Sequence, residues 1–136
     1  LAAKMAHKKQ IADVGNVQLG VCIPGKRDKL FRAIINIVDN AMICTPDKGT
    51  ITISLKKEDN LAKLRILDTG IGIAQKDLPH IFERFYRGSK NDKTFGSGLG
   101  LAIASSTVFA HQGRIEVKSK VSRGSEFIVS LPLSSS

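Results

Sequence analysis

The run Leu61-Ala62-Lys63-Leu64-Arg65-Ile66-Leu67-Asp68, with Thr50-Ile51-Thr52-Ile53-Ser54-Leu55 ahead of it, sets the fold class. Both runs alternate apolar and polar residues, the pattern of a strand with one buried face, and the polar link Lys56 to Asn60 suits an antiparallel hairpin. Working outward, Arg114 to Lys118 and Glu126 to Leu131 read as two more strands around a Ser122-Arg123-Gly124 turn. A short strand is expected at Asn16 to Cys22, closed by Pro24-Gly25. Leu30, Ile34, Ile37, Val38 and Ala41 recur at three and four, which predicts a helix from about Arg27 to Cys44. Gln75 to Arg84 reads as a short helix with Pro79 in its first turns, and Leu99 to Ala110 as a third, ended by His111-Gln112-Gly113. Strands outnumber helices and neighbour each other through hairpins. The expected fold is therefore an α+β two-layer sandwich, a mixed and mostly antiparallel sheet of about five strands under about three helices.

The chain has 136 residues, 42% of them hydrophobic and 24% charged, enough for one buried core. The expected domain covers residues 13–133, with 1–12 as a residual linker or first helix and 134–136 as a disordered tail. No apolar run approaches the roughly 20 residues that cross a bilayer, and no secretory signal opens the chain. A cytoplasmic domain is expected, in a parent protein whose membrane anchoring is left open. The first residue is Leu1, so a fragment of a longer chain is expected. Cys22 and Cys44 form no metal or redox pair and read as reduced core residues. His7, His80 and His111 are scattered and argue for neither a zinc site nor a triad.

Net charge is +9 and the pI about 9.8, a balance that favours polyanions. Yet the chain has no Trp, one Tyr and no basic stripe interleaved with aromatics. Nucleic acid is not expected as a partner; a basic DNA-binding domain is the contrasting class, and it predicts salt-dependent binding indifferent to nucleotide.

Three segments carry chemistry. In Asn36-Ile37-Val38-Asp39-Asn40-Ala41, the two carboxamides lie four apart and stack on one helix face, where their oxygens suit a hard ion such as Mg²⁺. Asp39 reads as a solvated or locally bonded carboxylate. Asp68-Thr69-Gly70-Ile71-Gly72-Ile73 sets a carboxylate at a strand end beside glycines that let a planar base approach. Such a carboxylate accepts from the exocyclic amine of adenine and repels the carbonyl of guanine. Gly96-Ser97-Gly98-Leu99-Gly100 lacks the preceding strand of a dinucleotide fingerprint and reads instead as a lid before a helix N-terminus, with Arg84, Arg87, Lys90 and Lys93 nearby. In Ile81-Phe82-Glu83-Arg84-Phe85-Tyr86-Arg87, Phe82 and Phe85 read as core anchors, with a docking surface as the alternative.

Taken together, the four segments resemble the catalytic and ATP-binding domain of bacterial two-component sensor histidine kinases, within the gyrase, Hsp90 and MutL ATPase superfamily. Asn36 to Ala41 is similar to the N box, Asp68 to Gly72 to the first glycine box, Ile81 to Arg87 to the F box, and Gly96 to Gly100 to the second glycine box, over about Asn16 to Leu133. The resemblance implies a Bergerat-type sandwich that binds ATP and Mg²⁺ and transfers the γ-phosphoryl group to a histidine on a separate dimerisation domain. It implies Asp68, Gly70 and Gly72 at adenine, and Asn36 and Asn40 at the metal and phosphates. It also implies Arg87 toward the γ-phosphate, with Gly96, Gly98, Leu99 and Gly100 as lid. A monomeric isolated domain is expected, with a response regulator as indirect partner and no membrane contact.

Where hydrolysing relatives place a glutamate, this chain has Asn36, which cannot act as a general base, so slow ATP hydrolysis is expected. Ile43 and Cys44 replace a usual cation and aromatic, which keeps open a non-catalytic ATP-binding signalling module. An anti-sigma-type Ser/Thr kinase ranks lower, because it usually keeps the glutamate. His111-Gln112-Gly113 departs from the usual His-Gly-Gly. His7 is followed by Lys8-Lys9 and not by an acidic residue, so no phosphoacceptor histidine is expected within the chain.

Overall fold

A computed structural model describes residues 13–17, 27–45, 49–86 and 99–133. The order is β1 (Asp13–Val17), α1 (Arg27–Cys44), β2 (Ile51–Glu58), β3 (Leu61–Asp68), a 3-10 turn (Leu78–His80), α2 (Gly100–Ala110), β4 (Arg114–Lys120) and β5 (Gly124–Pro132). The strands form one sheet in the order β1-β2-β3-β5-β4. β1 runs parallel to β2 and every other pairing is antiparallel. The α+β class and the mixed, mostly antiparallel sheet are as expected.

Register explains the core. Ile53, Ile66, Phe127 and Val117 form one row across β2, β3, β5 and β4, and Leu55, Leu64, Val129 and Ile115 form the next. These inward rows pack against Ala33, Ile37, Val38, Ala41 and Met42 of α1 and Leu101, Ala104 and Val108 of α2. Phe127 at the centre is wholly buried, and removing a side chain of that size from water contributes about 2–3 kcal/mol. The opposite sheet face carries Lys63, Arg65, Glu116 and Lys118. There the Arg65–Glu58 pair, 2.8 Å apart, is solvent-screened and contributes little.

Several boundaries differ from expectation. β1 begins at Asp13, three residues before the expected Asn16, and residues 18–22 lie outside the described set, as do 1–12 and 134–136. The link from Lys56 to Asn60 shrinks to two turn residues, because Asp59 and Asn60 both take positive φ (51° and 66°) and let the strands extend to Glu58 and from Leu61. That is the conformation whose twist matches a two-residue hairpin.

The expected Gln75–Arg84 helix is instead a chain of turns around one 3-10 turn. Bonds of the i→i+3 kind, Asp77 N–H to Ala74 (2.9 Å), His80 N–H to Asp77 (2.9 Å) and Glu83 N–H to His80 (2.9 Å), replace a continuous α ladder. Pro79 has no N–H to extend one. Two α-helices therefore stand among the described residues, against about three expected.

Candidate functional site

Asp68 ends β3 and is 2% exposed. Its Oδ1 accepts from the Gly70 N–H at 2.8 Å, and the Ser125 backbone N–H also donates to the carboxylate. Burial pushes the carboxyl above its ordinary pKa, and the two N–H bonds offset part of that rise. The acid is thus held by the backbone in one orientation.

The loop after it is fastened to α1. The Ile71 N–H donates to the Cys44 carbonyl at 3.0 Å, satisfying one of the end carbonyls of the helix. Thr69 is tied to Thr50 through its N–H (3.1 Å) and its hydroxyl, which accepts from the Thr50 N–H at 2.9 Å. A Cβ on Gly70 would stand 2.3 Å from the Cys44 oxygen, and one on Gly72 would stand 2.0 Å from the Lys120 oxygen. The missing side chains at Gly70 and Gly72 therefore make room for protein backbone. This corrects the expectation that the clearance is for a planar base.

Asn40 is buried and Asn36 half-buried, one turn apart on the same helix. The Asn36 side chain lies against the start of α2, its Cβ, Cγ and Oδ1 each 3.7 Å from where a Gly100 Cβ would be. The preceding Leu99 supplies no side-chain cap to that helix. The helix that carries Asn36 and Asn40 thus meets the loop after Asp68 at its end and the start of α2 along its side. Arg87, Gly96, Gly98, Lys90 and Lys93 lie outside the described residues, and Arg84 is exposed.

Asp39 departs from expectation: among the described residues its Oδ1 is buried without a hydrogen-bond partner. Cys44 is buried in the core, while Cys22 lies outside the described set. Ile43 is 42% exposed. Phe82 packs edge-on against Phe127 at 6.3 Å and is a core anchor, but Phe85 is 66% exposed and is not. Tyr86 donates to Asp77, and its ring stacks on His80 at 5.4 Å.

Two residues escaped the sequence reading. The row after the two apolar ones runs Ile51, Asp68, Ser125, Ser119, so both serines share the inward side with the acid. The available signal was an inward-phase serine closing each apolar alternation, after Val117 and before Phe127. A cavity of about 430 Å³ opens at this sheet end, lined by Gln75, Leu78, Lys120, Arg123, Ser119 and Ser125 among others, without Asp68 or either asparagine. The serines are common to that cavity and to the acid's surroundings.

With this geometry in place, the class follows. The chain belongs to the histidine kinase-, DNA gyrase B- and HSP90-like ATPase family, whose pattern matches residues 25–135. Within it, the sensor histidine kinase RppB of Synechocystis sp. is 41% identical over 111 residues, covering 80% of this chain and 24% of RppB. The mycobacterial sensor histidine kinase MprB superposes with a TM-score of 0.78 at 29% identity, over 96% of this chain and 90% of that one. Full-length ShkA in complex with AMPPNP superposes at 0.82 with 28% identity, over 98% of this chain and 28% of ShkA. The chain spans about a quarter to a third of the length of the curated relatives it matches. Among the described residues, no helix is long and apolar enough to cross a membrane.

Proposed function

We propose that this chain is the ATP-binding catalytic domain of a sensor histidine kinase, donating the γ-phosphoryl group of ATP to a histidine on a separate dimerisation domain. The observation that carries the reading is Asp68, buried and oriented by two backbone N–H groups, on a loop bonded to the end of the helix that bears Asn36 and Asn40. An oriented, buried acceptor suits the amine of adenine, and one charged hydrogen bond of this kind is worth about 1.5–3 kcal/mol. The AMPPNP bound to ShkA, a protein of like fold, supports a nucleotide as ligand.

Asn40 and Asn36 would hold Mg²⁺ through carboxamide oxygens, which fit a hard ion and carry no proton to lose. When bound, that ion would neutralise charge on the phosphates. Asn36 lies against the start of α2, and a helix N-terminus is a setting suited to an anion. Arg87, Gly96, Gly98, Leu99 and Gly100 are proposed as the γ-phosphate contact and lid. Asn36 offers no base to water, so transfer is favoured over hydrolysis. The response regulator would act downstream, in the cytoplasm.

The test mixes the chain with Mg-ATP labelled on the γ-phosphate and the parent protein's dimerisation hairpin. Acid-labile, base-stable label on the hairpin, lost when its histidine is replaced, is the expected result. ATP binding without transfer in the full-length parent would favour the non-catalytic module.

A further inference from the structure

The end row of the sheet carries a direction. Ser119 Oγ lies 2.7 Å from the Ile73 N–H, 2.8 Å from the Gly124 carbonyl oxygen and 2.8 Å from Ser125 Oγ. A peptide N–H only donates, a carbonyl only accepts, and a hydroxyl has one proton to give. Only one assignment keeps all three contacts as hydrogen bonds: Ser119 accepts from Ile73, donates to Gly124, and accepts from Ser125. The Ser125 proton is then spent on Ser119, and Ser125 keeps lone pairs alone.

We infer that Ser119 is a positioning residue for nucleotide specificity, which makes the Ser125 hydroxyl a pure acceptor beside Asp68 and ties the Gly70–Ile73 loop to β4. The inference rests on the adenine reading of Asp68 and adds to it a residue that does not touch the base. Asp68 and Ser125 are directly opposed across β3 and β5, and Cβ atoms of such pairs stand about 4.5–5.5 Å apart. A purine substituent bonded by the acid is therefore within reach of the serine. Two acceptors with no hydroxyl donor match an exocyclic amine and oppose a ring carbonyl. Ser125 is 5% exposed, so its hydroxyl is held within the sheet end rather than turned out to solvent.

The test measures dissociation constants of ATP and of inosine triphosphate, which carries a 6-carbonyl where ATP carries the amine. The wild-type chain, Ser119→Ala and Ser119→Thr are compared. In Ser119→Ala the Ser125 proton is released to meet a carbonyl, and the preference for ATP is expected to fall about three- to tenfold. Ser119→Thr keeps the hydroxyl and is expected to restore the wild-type ratio. A purely structural role weakens both nucleotides alike. A ratio unchanged in Ser119→Ala, with nucleotide still bound, overturns the inference while leaving the adenine reading intact. A wild-type chain that does not distinguish the two nucleotides overturns the adenine reading and the inference with it. Should Ser119→Ala fail to fold, Ser119→Cys carries the same comparison, because its thiol is a weak hydrogen-bonding group. A lowered ratio there supports the inference and an unchanged one overturns it.

Discussion

Gly70 and Cys44 meet backbone to backbone: a Cβ at Gly70 would come within 2.3 Å of the Cys44 carbonyl oxygen, which already accepts the Ile71 N–H at 3.0 Å. Neither side of that contact has a flexible end that could move aside. The loop carrying the acid and the helix carrying the carboxamides are therefore seated against each other.

Gly70→Ala is expected to lower stability by about 1–3 kcal/mol, the usual cost of overpacking, and to weaken ATP binding as the Gly70 N–H leaves Asp68. Urea denaturation and nucleotide titration read the two effects. Gly100→Ala is the control, since its Cβ meets only ordinary contacts at 3.7 Å and alanine suits a helix, so stability should hold or rise slightly.

Asp68 fixes a pH dependence. Burial raises its pKa on folding, so its contribution to stability is fully present below the unfolded value near 4 and is lost as pH rises through the higher folded value. The urea midpoint of Asp68→Asn relative to wild type is expected to move in favour of the variant from about pH 4 toward neutrality. A difference independent of pH would show that the carboxyl titrates alike in both states. In the same variant ATP affinity should drop about 10- to 100-fold, because an amide nitrogen presents a donor where the amine needs an acceptor.

Asn40→Ala tests the metal assignment. With Mg²⁺ present, ATP affinity should fall at least about tenfold, and with Mg²⁺ chelated the variant and wild type should converge. Equal losses in both conditions would make Asn40 a packing residue, which its burial also permits.

Gln112→Gly is expected to stabilise the chain by about 1 kcal/mol, seen as a rise of a few degrees in Tm. Gln112 sits at φ 63° just past the end of α2. Its N–H bonds Phe109 (2.9 Å) while the Gly113 N–H bonds Val108 (2.9 Å), the closing pair of a helix end that glycine suits best. A lower Tm would mean that the Gln112 side chain contributes more than its backbone costs.

Much of this was legible in the chain because period and burial agree. The spacing of Ile34, Ile37, Val38 and Ala41 marks α1, and the alternation through Leu64 and Ile66 marks β3. Leu78, Ile81 and Phe82 mimic helical spacing, yet they are spread over 3-10 turns, since period alone does not separate i→i+3 from i→i+4 bonding beside a proline. Ser119 and Ser125 are hard to single out for another reason. A serine in a strand looks like any solvent-side residue until cross-strand register puts it in line with Asp68. Gly70 and Gly72 are legible as crowded positions, but only the folded backbone shows that the crowding comes from the carbonyls of Cys44 and Lys120.

The hydrogen bond from Ile71 to Cys44 couples the loop after Asp68 to the end of the helix that bears Asn36 and Asn40. If α1 tilts, the acid travels with it as one rigid jaw. Crosslinking this seam should therefore cost nothing that depends on its two sides moving apart.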